Sequence, residues 1–297
     1  MSQEQSHITD AELGKKICQF KDQEEFEKLV DYLVAAIASG SMSCALQAKA
    51  YNELGLAHLQ LDNPLEAEKS FISAIERSPQ SVNPRFNKAN LALYAQRFST
   101  ALEQYLELLE IAPDHVGAHY HAGLCFAMQE QPTEALEHFL FSVASEPDSM
   151  GPNFWTAELL LASKQFDEAL QYFTKAAEIM PDHRESQRGI AICHFELEQY
   201  TECIAQCDLL ILSGSGVEYL AHKLKGDALI QVGEVAEAAA NHLELAFMDF
   251  DAREYLIMRA KELAQTHPEF VEEYTAVLRC GIPEMESAFD DLLGDSA

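Results

Sequence analysis

Four prolines, Pro79, Pro113, Pro147 and Pro181, stand 34 residues apart. Ahead of each, at fixed distances, come an aromatic ring (Phe71, Tyr105, Phe139, Phe173), an alanine (Ala67, Ala101, Ala135, Ala169) and a second small residue (Gly55, Ala89, Gly123, Ala157). A register held to the residue over four copies forces the chain to repeat one structural unit. The marks say which. The alanine and the ring are four apart, one turn along one face of a helix. The small residues let two helices cross closely, and the ring fills the space between them. The proline cannot continue the second helix, so it turns the chain into the next copy. A single helix hairpin cannot bury its apolar face alone, but stacked neighbours can, and stability becomes a sum over adjacent pairs.

The first copy opens Tyr51-x2-Leu54-Gly55-x2-His58. With the alanine, ring and proline marks, this resembles the tetratricopeptide repeat. The resemblance implies an all-α fold: a right-handed superhelix of antiparallel helix pairs, the tetratricopeptide solenoid, with capping helices at both ends. Six units are expected, at 48–81, 82–115, 116–149, 150–183, 184–217 and 219–252. The fifth departs from the pattern. Cys203 and Cys207 replace the alanine and the ring, and Ser215 stands where proline should be, inside Gly214-Ser215-Gly216. Beyond it Gly226, Ala238 and His242 lie 35 residues after their counterparts, a slip of one. A missing buried ring costs about 1–3 kcal/mol of burial, so this junction is expected to be the weakest and a candidate hinge.

Residues 1–47 read as a polar start and N-terminal capping helices, 11–40 being a cap or a degenerate repeat. Asp10 is the expected cap of a first helix, and a second carries Phe26, Leu29, Val30, Leu33 and Ile37 on one face before stopping near Gly40. Residues 253–297 read as C-terminal capping helices and an acidic tail, the alternative for the final helix being an amphipathic segment that docks on a partner or in the chain's own groove. Three helical patterns are expected there, Arg253–Gln265, Pro268–Arg279 and Pro283–Leu293, the last with Ile282, Met285, Phe289 and Leu292 on one face.

Charge narrows the partners. The 49 acidic residues outnumber 20 basic ones, for a net charge of −29. Such a surface repels phosphate backbones and anionic lipids, so neither nucleic acid nor a membrane is the expected partner. No apolar run approaches the ~18 residues of a membrane span, and the start shows no secretory signal. Seven scattered cysteines suit reduced thiols, and the chain reads as cytoplasmic.

Two clusters invite a metal. Cys193, His194, Cys203 and Cys207 meet around the fifth unit, but they occupy ordinary core marks and lack Cys-x2-Cys spacing. His115, His119 and His121 lack a completing carboxylate or thiol, and packing roles are expected. Neither a nucleophile motif nor a phosphate loop is present. No enzyme, cofactor or metal is expected.

The resemblance places the first helix of each unit along a concave groove that takes peptides. Stepping by the repeat, one column reads Asn52, Phe86, Tyr120, Phe154, Arg188 and, after the slip, Lys223. Neighbouring positions add Asn83, Asn87, Asn90, Tyr94, Trp155, Glu158, Ile192 and Phe195. Rings offer contact area at low entropy cost, and arginine can fork a carboxylate. Helices pack about 8–10 Å apart and an extended chain advances ~3.3 Å per residue, so neighbouring rungs should take side chains about three residues apart. Two family subtypes fit poorly. The carboxylate-clamp positions hold Asn52, Leu56, Asn87, Gly117 and His121, of which only Asn87 matches. The asparagine-ladder positions hold Glu53, Asn87, His121, Trp155 and Gly189. The expected function is a non-enzymatic interaction scaffold or adaptor holding a peptide or protein segment. The alternatives are a secretion-type chaperone for an exported client and a regulatory subunit of an enzyme complex.

Overall fold

A computed structural model of the protein describes residues 8–214, 218–248 and 252–289. Among these residues every regular element is helical. The chain divides into two compact units, Met1–Glu146 and Pro147–Ala297.

Unit 1 holds α1 (Asp10–Asp22), α2 (Phe26–Ala38), α3 (Cys44–Gln60), α4 (Pro64–Arg77), α5 (Val82–Tyr94), α6 (Phe98–Ile111), α7 (Val116–Met128) and α8 (Pro132–Ser145). The first cap differs from expectation. Thr9, not Asp10, is the N-cap, in a capping box: Glu12 N–H donates to Thr9 Oγ1 at 3.3 Å, and Thr9 N–H donates to Glu12 Oε2 at 3.0 Å. Asp10 instead sits in the first turn, where its charge meets the helix dipole and Lys49 Nζ at 2.7 Å. The face of α2 lies as expected: Leu29 and Leu33 are buried with Leu13, Ile17 and α3's Leu54, while Phe26, Val30 and Ile37 pack at the edge.

The hairpins close tightly because each first helix ends in one left-handed residue. Asp62, Gln96 and Glu130 have φ of 55°, 56° and 58°. The following N–H then donates back five residues, Asn63 to His58 O at 2.8 Å, Arg97 to Ala92 O at 2.9 Å and Gln131 to Phe126 O at 3.0 Å. Across each hairpin the marks meet. Phe71, Tyr105 and Phe139 are fully buried, as are Ala67, Ala101 and Ala135. A Cβ on Gly55 would stand 2.5 Å from the Phe71 ring, and one on Gly123 would stand 2.7 Å from Phe139. The ring lies on the glycine, which is why the mark is small.

Unit 2 holds α9 (Met150–Ala162), α10 (Phe166–Ile179), α11 (Arg184–Glu196), α12 (Tyr200–Leu212), α13 (Glu218–Val232), α14 (Val235–Met248), α15 (Ala252–Thr266) and α16 (Val271–Gly281). Lys164 and Glu198 repeat the left-handed turn, and Gly233, one residue late, takes φ 84°. The slip seen in the sequence is therefore a slip of the turn itself. Cys203 and Cys207 are fully buried with Leu210 and Ala191, so thiols stand in for the missing alanine and ring. Gly214 has φ 61°; the rest of the expected flexible stretch, 215–217, lies outside the described residues.

Pro268 and Pro283 stand in first turns as expected, each turn being 3-10 and running directly into α-helix, α16 from Val271 and helical residues 286–289 after Met285. Ile282, Met285 and Phe289 are buried in one cluster with α14's Val235 and α16's Tyr274 and Leu278. Leu292 and the acidic tail lie outside the described residues.

Candidate functional site

In unit 1 the column residues on the first helices meet different fates. Asn52 is buried and accepts a 2.8 Å hydrogen bond from Asn87 Nδ2 across to α5. Phe86 is half-buried in a nest of its neighbours' rings: it stacks on His121 at 5.3 Å and 7°, with His115 at 4.8 Å and Tyr105 at 6.0 Å. Tyr120 is half-buried too, 5.9 Å from Phe139. Asn90 serves this nest: its Oδ1 accepts from Tyr105 OH and from the His121 Nδ1–H at 2.7 Å. Burial, with His115 nearby, lowers the His121 imidazole to about 4, so it stays neutral and donates. Asn83 is exposed. Tyr94 at the end of α5 leaves a large apolar side chain open to solvent, 79% exposed; one repeat later, at the end of α7, Met128 is 47% exposed.

In unit 2 Phe154 packs on Phe173 at 6.1 Å, edge-on to His183 at 4.8 Å and to Trp155 at 5.5 Å. Arg188 reaches back to α9, its Nη2 3.4 Å from Glu158 Oε1. Burial raises the Glu158 carboxyl, and the Arg188 charge offsets part of that rise. Lys223 Nζ lies 5.0 Å over the Tyr255 ring. Ile192 is half-buried, and Phe195 packs edge-on to Tyr200 at 5.8 Å. Both cations of the column thus have an internal partner.

Tetratricopeptide repeat models match residues 48–81, 86–149, 129–182 and 160–225, together more than half of the chain. The chain belongs to the tetratricopeptide repeat family. The fold agrees with solved tetratricopeptide structures. YrrB, described as a tetratricopeptide protein with an unusual peptide-binding site, is 20% identical at a TM-score of 0.59, over 62% of this chain and 94% of its own. A tetratricopeptide protein from Parabacteroides merdae is 20% identical at 0.55, over 89% and 98%. The pilF protein of Pseudomonas aeruginosa is 20% identical at 0.56, over 70% and 96%. At these identities the likeness is one of fold. No curated protein sequence matches significantly. Tetratricopeptide repeats are generally non-catalytic modules that bind protein or peptide partners.

Within this tetratricopeptide frame two features escaped the sequence. Six residues after each spacer proline, a side chain donates to the prolyl carbonyl: Arg85 to Pro79 at 2.9 Å, His119 Nε2 to Pro113 at 2.9 Å, Asn153 to Pro147 at 2.9 Å, and Gln187 to Pro181. Four unlike residues do one job, so only the spacing could have signalled it. The second is histidine used as a helix cap. His115 Nδ1 accepts from Ala118 N–H at 3.0 Å and His183 Nδ1 from Ser186 N–H at 3.2 Å.

These roles absorb the histidine cluster. His119 spends Nε2–H on Pro113 and accepts at Nδ1 from His138 Nδ1–H, 3.0 Å away. The cysteine cluster does not assemble as a site either. His194 Nδ1 turns to Gln199 Oε1 at 2.7 Å. Burial raises the Cys193 thiol to about 12, and Cys207 rises through its bond to Cys203 and through burial, so neither is a thiolate. Among the described residues no three metal-binding side chains come together, and no helix is long and apolar enough to cross a membrane.

Proposed function

We propose that the protein is a non-enzymatic scaffold that holds a segment of another protein against the first-helix faces of its repeats. The observation that carries the reading is the pair Tyr94 and Met128. They occupy one repeat position on α5 and α7, and each leaves a large apolar side chain open to solvent where Phe86 and Tyr120 are already packed. A tyrosine needs a dry neighbour for its ring and a wet one for its hydroxyl, which an incoming peptide supplies. Asn83, exposed on the same helix, offers its amide to a peptide backbone. In unit 2 the Arg188–Glu158 pair and Trp155 form the corresponding surface, where an incoming carboxylate competes with Glu158 for the guanidinium.

The peptide-binding site ascribed to YrrB supports this ligand class by likeness of fold. In this reading residues 48–252 are the six binding repeats, with 1–47 and 253–297 closing the ends. The acidic surface keeps nucleic acid and anionic membranes away, and the chain works in the cytoplasm without cofactor or metal.

Affinity capture with mass spectrometry tests it, comparing wild type with Tyr94→Ala plus Met128→Ala and with Phe154→Ala plus Arg188→Ala. The expected result is one stoichiometric partner whose capture falls about tenfold or more in at least one double variant. A folded pair of variants that both capture it at wild-type level would overturn the reading. The partner's identity separates an exported client from an enzyme subunit.

A further inference from the structure

The second helices of unit 1 carry an apolar side chain on their solvent side at one repeat position. Ile72 on α4, Leu106 on α6 and Leu140 on α8 stand 34 residues apart and are 40%, 40% and 39% exposed. They are not the core stripe. That stripe, with Ala67, Phe71 and Ala74 on α4, is fully buried on the other side, as are its counterparts Ala101, Tyr105 and Leu108 on α6.

Carboxylates outnumber cations around this ladder. Glu103, Glu107 and Glu110 on α6 and Glu134 and Glu137 on α8 are exposed, and neither helix contains lysine or arginine. On α4 the cations are occupied: Lys69 Nζ is 2.6 Å from Glu66, and Arg77 donates to Gln47 at 2.6 Å. Arg85 and Arg97 approach Glu107 and Glu68 only to 3.9 Å. Glu76 is left exposed one turn from Ile72.

We infer that this ladder docks a cationic amphipathic helix of another protein. Three aliphatic rungs between carboxylates fit an apolar stripe edged by lysine or arginine. A second copy of this chain, at −29, would bring like charge to the contact, and so would an anionic lipid surface. The second helices α4 and α6 each pack on the first helix of the next hairpin, α5 and α7, so the rungs stand on successive hairpins of one array. In unit 2 the same position holds Thr174 and Asp208, which would present a hydroxyl and a charge to the stripe, and, after the slip, Leu243, which is packed against the core cluster of the last helices. The ladder lies on the second helices, so the inference stands apart from the first-helix reading above.

The test uses the full chain and two fluorescein-labelled peptides of about 15 residues, leucine and lysine only, one with leucines at heptad a and d positions and one scrambled. Anisotropy at roughly 150 mM salt gives the affinities. Wild type should bind the heptad peptide about tenfold tighter than the scramble. Leu106→Ser plus Leu140→Ser should erase that preference, with the fold checked by circular dichroism. Tyr94→Ala plus Met128→Ala should leave it intact. Glu107→Gln plus Glu110→Gln, which keeps the rungs, should weaken binding about threefold and flatten its salt dependence. Equal affinity for the scramble, or a preference that survives the leucine variant or vanishes in the Tyr94 and Met128 variant, would overturn the inference. So would a wild-type dimer in sedimentation that the leucine variant dissociates, or ladder-dependent binding to phosphatidylserine vesicles.

Discussion

The cleft between paired helices is filled differently at the two ends of the chain. In unit 1 the filler is a ring at every repeat: Phe71 lies on Gly55, Phe139 on Gly123, and Tyr105 shares one core cluster with Ala89. Unit 2 opens the same way with Phe173 and then changes to Cys207 and His242. His242 occupies the ring's own place: a Cβ on Gly226 would stand 2.3 Å from the imidazole. A buried imidazole needs partners, and the last helices supply them. Tyr274 OH from α16 is 2.8 Å from Nδ1, and Asp227 Oδ1 on α13 is 3.4 Å from Nε2. Asp227 in turn accepts from Tyr255 OH at 3.1 Å and pairs with Arg259 Nε at 2.8 Å, both on α15. An apolar plug accepts any copy of the repeat as its neighbour. A plug with directed hydrogen bonds accepts one neighbour, and it sits where α15 and α16 must be seated in register.

The largest expected effect breaks the comparison at its apolar end. Phe139→Ala leaves a cavity on Gly123 and should cost about 3–5 kcal/mol, whereas Cys207→Ala, a far smaller loss of volume, should cost roughly 1 kcal/mol. A repeat array opens in parts, so a single unfolding midpoint is the wrong observable. Native-state hydrogen exchange should show α7 and α8 losing most of their protection in the first variant, and α11 and α12 losing little in the second. Equal losses would mean that the thiols fill their cleft as completely as a ring does.

Acid separates the units next. In unit 1 burial holds His121 and His138 at about 4, well below the free imidazole near 6.5. Their folded values are depressed, so stability is whole above about 6.5 and erodes as the pH falls toward about 4. In unit 2 burial works to raise the Asp227 carboxyl, but the bond to His242 and the Arg259 charge outweigh it and the net shift is downward. Its contribution is whole above the free carboxyl value of about 3.9 and is lost only as the pH falls through the lower folded value. Exchange or thermal melts between about pH 7 and 3 should therefore show unit 1 weakening first. His138→Gln should flatten the upper part of the profile, and Asp227→Asn the part below about 4. A wild-type profile flat down to about pH 4 would remove the histidines from the account.

Much of this was legible in the 34-residue period. It marks which residues are small, which carry rings and where the sixth turn slips by one, because those demands act within one hairpin and recur in every copy. The period fixes the face on which a residue lies but not what the next helix brings to it. Phe86, Tyr120 and Phe154 share a position, yet Phe86 is enclosed by His115 and His121 from the following helix. Arg188 and Lys223 look free in one dimension; Glu158 and Tyr255, from other helices, engage them. Thr9 and Asp10 are both good caps by type, and only Glu12, three residues after Thr9, decides between them.

The left-handed turns hid for a different reason, and they yield the smallest prediction. Asp62, Gln96, Glu130, Lys164 and Glu198 all have φ between 55° and 60°, without the glycine that would announce the turn. An L side chain there costs about 1 kcal/mol against glycine, set partly against glycine's freer unfolded chain. The sixth hairpin already has its glycine, Gly233 at φ 84°. Glu130→Gly in unit 1 and Glu198→Gly in unit 2 should therefore each stabilise by up to about 1 kcal/mol, and Gly233→Ala should destabilise by a similar amount. Exchange protection of the flanking helices reads all three. A similar gain at 130 and 198 would show that the turn is the same device in both units, whatever fills the cleft beside it; a gain at 130 alone would tie the turn's strain to the ring it closes over.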